Sequence, residues 1–126
     1  MAVLDSSFVI DVMRRKKPAL DLRSQLEHEI LFIPTPVVME LWEGALKSKV
    51  SSEEKAKIEE FLSKTTVLNF DLTAAKRTAE IIVDTSRQPI EAEDAMIAGI
   101  ALTHGQTVVT RDAHFARIPG LKVLKY

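Results

Sequence analysis

The sequence predicts an α/β fold: a single domain over residues 1–126, built as a three-layer sandwich with a parallel sheet between helices on both faces. Three observations predict it. Short apolar runs of strand character alternate with longer helix-period segments in the order β, α, α, β, α, α, β, α, α, β, β, an alternation that calls for helical crossovers between parallel strands. The chain of 126 residues is 46% hydrophobic with few glycines and prolines, so it can bury one core and has no room for a second. Four acids fall at strand C-termini or in the first turn of the following helix, the edge where open α/β sheets bind ligands.

Taken in order, Ala2, Val3 and Leu4 form a short strand that stops at Asp5, and Phe8 to about Arg15 is an amphipathic helix closed by Arg14, Arg15, Lys16, Lys17 and Pro18. Asp21 to His28 reads as a short helix and Ile30 to Ile33 as a strand ended by Pro34. Thr35 then stands as an N-cap with Pro36 at the first helical position, opening a helix to Lys47. Val37, Val38, Leu41, Trp42, Ala45 and Leu46 cover most of that helix and leave Glu40 and Glu43 as its only acids. Trp42 is a core residue or the anchor of a subunit interface.

Ser51 to Lys64 is a charged peripheral helix with Ile58, Phe61 and Leu62 as its buried stripe. Val67 to Phe70 follows as a strand, then a helix from Leu72 to Ser86, capped by Asp71 or Thr73, with Ala75, Ala79, Ile82 and Val83 on its inner face. Asp94 to Thr103 is a buried helix stopped by Gly105, and Gln106 to Arg111 an inner strand. Pro119 and Gly120 turn the chain into a last strand, Leu121 to Leu124. A ten-residue helix and a six-residue strand span similar lengths, roughly 15 to 20 Å, so an antiparallel helix and strand bring Asp94 and Asp112 back to one edge.

Asp5, Glu40, Asp94 and Asp112 thereby converge. Carboxylates at close range raise one another's pKa, and a divalent cation resolves the repulsion. Oxygen ligands without cysteine or a histidine pair favour Mg²⁺ or Mn²⁺ over zinc. A metal-held water can then attack a phosphodiester. Asp5, Asp94 and Asp112 are the expected metal ligands, Glu40 a further ligand or the group that orients the water, and Ser7 and Thr110 hydroxyl partners of those carboxylates. Arg14, Arg15 and Arg111 are candidate phosphate contacts, although a basic helix end is also favoured by the macrodipole alone. An aspartate at a strand-to-helix junction is often only an N-cap. Glu91 and Glu93 read as charges favoured at a helix N-terminus or as groups that touch the metal through water, and His28, His104 and His114 as structural or exposed.

The segments L-D-S-S-F-V-I at 4–10, P-V-V-M-E-L-W-E-G at 36–44, E-D-A-M-I-A-G-I-A-L at 93–102 and T-V-V-T-R-D-A-H-F at 107–115 resemble the PIN-domain family, in particular its VapC-type toxins. The resemblance covers nearly the whole chain. It places the family's acidic quartet on Asp5, Glu40, Asp94 and Asp112 and its hydroxyls on Ser7 and Thr110. It implies a Mg²⁺- or Mn²⁺-dependent endoribonuclease acting on RNA, a homodimer held inactive by a cognate antitoxin, one of whose basic residues would enter the acidic crevice. Two positions depart from the pattern: Ser6 stands where Thr is commoner, and Gly99 where Ala is frequent.

Composition narrows the rest. A net charge of −1 excludes a strongly basic, non-specific nucleic-acid binder. The absence of cysteine excludes disulfides and thiolate catalysis. No run of about 18 apolar residues occurs, so no membrane span is expected and the protein is read as cytoplasmic. An aspartyl-phosphate phosphohydrolase needs a second acid where Ser7 stands, a receiver needs an acidic pair at Ser6 and Ser7, and no P-loop is present. The remaining alternative is a non-catalytic PIN-like module that processes nucleic acid or binds protein.

Overall fold

The computed structural model describes residues 1–126. Its elements follow the expected order: β1 (Ala2–Leu4), α1 (Ser6–Met13), α2 (Lys17–Gln25), β2 (Leu31–Pro34), α3 (Thr35–Lys47), α4 (Ser51–Ser63), β3 (Thr66–Leu68), α5 (Leu72–Asp84), α6 (Ala92–Thr103), β4 (Thr107–Thr110), a 3-10 turn at Ala113–Arg117, and β5 (Val123–Lys125). The five strands form one all-parallel sheet in the order β3-β2-β1-β4-β5. Strand order reverses beside β1. That switch point opens a crevice at the strand C-termini, between β1 and β4. With crossovers of the usual right hand, this order puts α1 to α4 on one face and α5 and α6 on the other.

The inner strands are apolar on both sides because both faces are covered: Val3, Leu4, Ile33, Val108 and Val109 are fully buried. Phe8, Val9, Val37, Ile58, Ile97 and Phe115 complete the core from the helices and the 3-10 turn. Gly105 has a φ of 62°, and the Gln106 and Gly105 amides bond back to the Ala101 and Leu102 carbonyls, which closes α6 as the sequence predicts.

Four local expectations are overturned. Helix α1 ends at Met13, because Arg15 turns left-handed (φ 58°) and lets the Lys16 and Arg15 amides bond the Asp11 and Val12 carbonyls. Pro18 accordingly does not end α1; it lies in the first turn of α2, where its missing N–H costs nothing. Thr35 is helical and does not cap α3; its hydroxyl accepts from the Phe70 amide at 3.1 Å and ties the exit of β3 to α3. Helix α5 buries Ala74, Thr78 and Ile81, whereas Ala79, Ile82 and Val83 face water. The expected apolar stripe exists, but in this chain nothing covers it. Trp42 is half-buried with the Lys55 ammonium 5.6 Å from its ring centre, and Met39 and Leu46 of the same helix are exposed, so α3 as well as α5 carries open apolar surface.

Candidate active site

Asp5 leaves β1 and N-caps α1, accepting from the Ser6 amide at 2.8 Å through Oδ1. Its other oxygen accepts from the Ser7 hydroxyl at 2.9 Å and the Thr110 hydroxyl at 2.7 Å. The cap thus takes one Asp5 oxygen, and the two hydroxyls take the other. Asp112 leaves β4 in the same way: Oδ1 caps the 3-10 turn through the His114 amide at 2.8 Å, and the Asp112 amide donates to Thr110 Oγ1 at 2.9 Å. Thr110, fully buried, thus bridges two acids that are 107 positions apart in the chain.

Asp94 is different. It lies inside the first turn of α6, so the capping explanation fails for it, and no protein donor bonds its carboxylate. Burial first, and then the charges of Asp5, Asp112 and Glu91, push it up to about 6. Glu40, in the second turn of α3, accepts from the Ser6 hydroxyl at 2.9 Å. Burial, opposed by that hydrogen bond and reinforced by the Glu93 and Asp5 charges, pushes Glu40 up to about 7.

All four acids line one crevice with Ser6, Ser7, Glu91, Arg111 and His114. None of the four carries a lysine or arginine partner. Repulsion is left uncompensated within the protein, which is the condition for a cation site. Ligand atoms of Asp94, Asp112 and His114 all lie within 4.8 Å of one another.

Sequence reasoning missed two participants, Ser6 and His114, and left a third, Glu91, open. Ser6 carried no separate signal, yet its hydroxyl holds Glu40. Glu91 holds the N-cap position of α6 without a side-chain capping bond and lines the crevice. His114 is exposed, as read, but its Nδ1 sits 3.1 Å from Asp112 Oδ1 because the 3-10 turn folds residue 114 back over residue 112. Of the three arginines expected at phosphate, only Arg111 lines the crevice. Arg14 lines an adjoining groove that shares Glu40, and Arg15, turned away by its left-handed backbone, lines a separate hollow with Arg23, Lys57 and Lys64.

Fold and site together define an α/β sandwich with an acidic crevice at its switch point. The PIN domain family model matches residues 2–121, and the chain belongs to the PIN-domain family. Within it the similarity is to VapC proteins. The tRNA(fMet)-specific endonuclease VapC of Shigella flexneri is 34% identical over 123 residues, 95% of this chain and 93% of that relative. The solved structure of DNA-bound VapBC from Salmonella typhimurium superimposes with a TM-score of 0.88 at 30% identity, over 99% of this chain and 98% of that one. VapBC2 from Rickettsia felis bound to a promoter DNA fragment gives a TM-score of 0.91 at 22% identity over 99% and 98%, a likeness of fold alone.

Proposed function

We propose that this protein is a metal-dependent endoribonuclease, the toxin of a toxin–antitoxin pair, with Asp5, Glu40, Asp94 and Asp112 as its working acids. The observation that carries this reading is the unpartnered, proton-loving Asp94 among Asp5, Asp112 and His114. Such a donor set, mostly carboxylate, fits Mg²⁺ or Mn²⁺, held by Asp5, Asp94 and Asp112. When bound, the ion polarises a phosphodiester and acidifies a water. The chain supplies the rest. Ser7 and Thr110 fix one Asp5 oxygen and so aim the other part of the site. Glu40, poised near pH 7, is matched to accept a proton from the attacking water. The relatives' names make initiator tRNA the first RNA to assay.

Cleavage is expected to require added Mn²⁺ or Mg²⁺ and to stop in EDTA; cleavage that persists in EDTA would reject the metal reading. Thermal melting gives a second check. Glu40 and Asp94 have folded pKa values above their unfolded ones, so in metal-free protein their contribution to stability is present at acid pH and lost as pH rises through about 6 to 7. Metal binding relieves that loss. The rise in Tm on adding Mn²⁺ should therefore be larger at pH 8 than at pH 5.

An antitoxin is the partner this reading needs. The groove of Ile10, Met13, Leu41, Ala45 and Ile58, open beside Glu40, is apolar enough to take a peptide whose basic residue reaches the crevice. The homodimer would cover the α5 stripe, where Leu72 and Val83 are 72% and 70% exposed. Val83→Glu should then sediment as a monomer, and a wild-type protein that is already monomeric at micromolar concentration would contradict this assignment. No helix is long and apolar enough to cross a membrane.

A further inference from the structure

Arg111 stands between Thr110 and Asp112, a cation on the rim of a crevice whose acids have no lysine or arginine partner. Coulomb attraction alone would draw its guanidinium onto Asp94 or Asp112, neutralising the site. It does not go there. Its Nε pairs with Asp11 Oδ2 at 3.3 Å, and Asp11, on α1, is a buried acid that the proposed chemistry does not use. The same Asp11 oxygen accepts the Tyr126 hydroxyl at 2.7 Å. Tyr126 in turn is set by packing, its ring edge-on to fully buried Phe8 with centroids 5.3 Å apart.

This arrangement is a chain of fixed parts: Phe8 orients Tyr126, Tyr126 orients Asp11, and Asp11 holds Arg111 by one edge. The Arg111 side chain is 58% exposed, and its two terminal amino groups have no protein partner. A guanidinium gripped through Nε keeps that far edge free, and a planar two-donor edge matches the two non-bridging oxygens of a phosphodiester.

The geometry points to Asp11 and Tyr126 as positioning residues that hold Arg111 at the rim, off the acids of the crevice, and present its free edge to an RNA phosphate. This rests on the nuclease reading and adds to it a phosphate clamp with a built-in restraint. Restraint matters twice, because a loose Arg111 would compete with the metal for the acids and would lose orientation before RNA binds.

Two measurements on the full chain test it. In ¹H–¹⁵N spectra the Arg111 Nε–H should resonate away from the free-arginine position in the wild type and return to it in Asp11→Asn and Tyr126→Phe. Tyr126→Phe keeps the ring on Phe8 and the net charge, so it remains informative if Asp11→Asn folds poorly. Anisotropy of fluorescein-labelled initiator tRNA in EDTA, across a KCl series, reads the clamp itself. Arg111→Ala should weaken binding roughly tenfold and lower the salt slope by about 0.7, the loss of one phosphate contact. Tyr126→Phe should weaken it roughly threefold, and that effect should vanish in the Arg111→Ala background, since the two act as one unit. An Nε–H already at the free position, or a Tyr126→Phe effect that persists without Arg111, overturns the proposal. If the wild type binds no RNA at all, the nuclease reading falls first.

Discussion

Asp94→Asn is expected to abolish RNA cleavage, by roughly a thousandfold, and at the same time to raise the melting temperature of the metal-free protein. The two effects share one cause. Asp94 has no hydrogen-bond donor, and burial first, then the charges of Asp5, Asp112 and Glu91, push it up to about 6. Above that pH its charge opposes folding. Asn keeps the shape and removes the charge, relieving on the order of 1 kcal/mol once water access to the crevice is allowed for, or about 3 °C at pH 8. On the proposed function the same removal takes away a cation ligand, and a charge-stabilising contribution of several kcal/mol to the transition state converts to roughly three powers of ten in rate. Calorimetry in EDTA and cleavage in Mn²⁺ measure both. Asn melting below the wild type at pH 8 would show that Asp94 is not the strained charge described above.

Gly99→Ala is expected to destabilise the fold by about 2 kcal/mol, close to 6 °C in Tm. Here helices α5 and α6 approach so closely that a Cβ on Gly99 would lie 2.1 Å from Thr78 Oγ1 and 3.0 Å from the Ala74 carbonyl oxygen. Thr78 is buried and donates to that same carbonyl at 2.7 Å, so its hydroxyl occupies the space a methyl would need. Alanine is thus opposed here by the residue across the interface. Thr78→Ala combined with Gly99→Ala should recover most of the loss, and a double-mutant cycle by denaturant unfolding reads the coupling. Additive losses would mean that the Ala74 backbone, not Thr78, sets the limit.

How far the sequence carried the reading depended on whether the deciding physics was local. Alternating apolar runs, Pro36, Asp71 and Gly105 act through their own backbone neighbourhoods, so the order of elements and most helix ends were legible. Where a residue's partner is remote, the local rule misled. Thr35 has the look of an N-cap but gives its oxygen to Phe70, and Pro18 reads as a stop where it serves as a start. The stripe of Ala79, Ile82 and Val83 has helical spacing, yet periodicity reports that a face is apolar without saying what covers it.

By itself the sequence determined the α/β alternation and the four acids at sheet-edge positions, because strand and helix lengths return the chain to the same edge each time. Only the tertiary structure decided how those acids differ. Thr110 and Ser7 secure Asp5, Ser6 holds Glu40, and Asp94 is left without a donor. It also paired Arg111 with Asp11, itself held by Tyr126, and so kept it off the crevice acids. Hydrogen bonds and ion pairs between residues a hundred positions apart depend on distances of a few tenths of an ångström. Those distances are fixed by packing, which no spacing along the chain records.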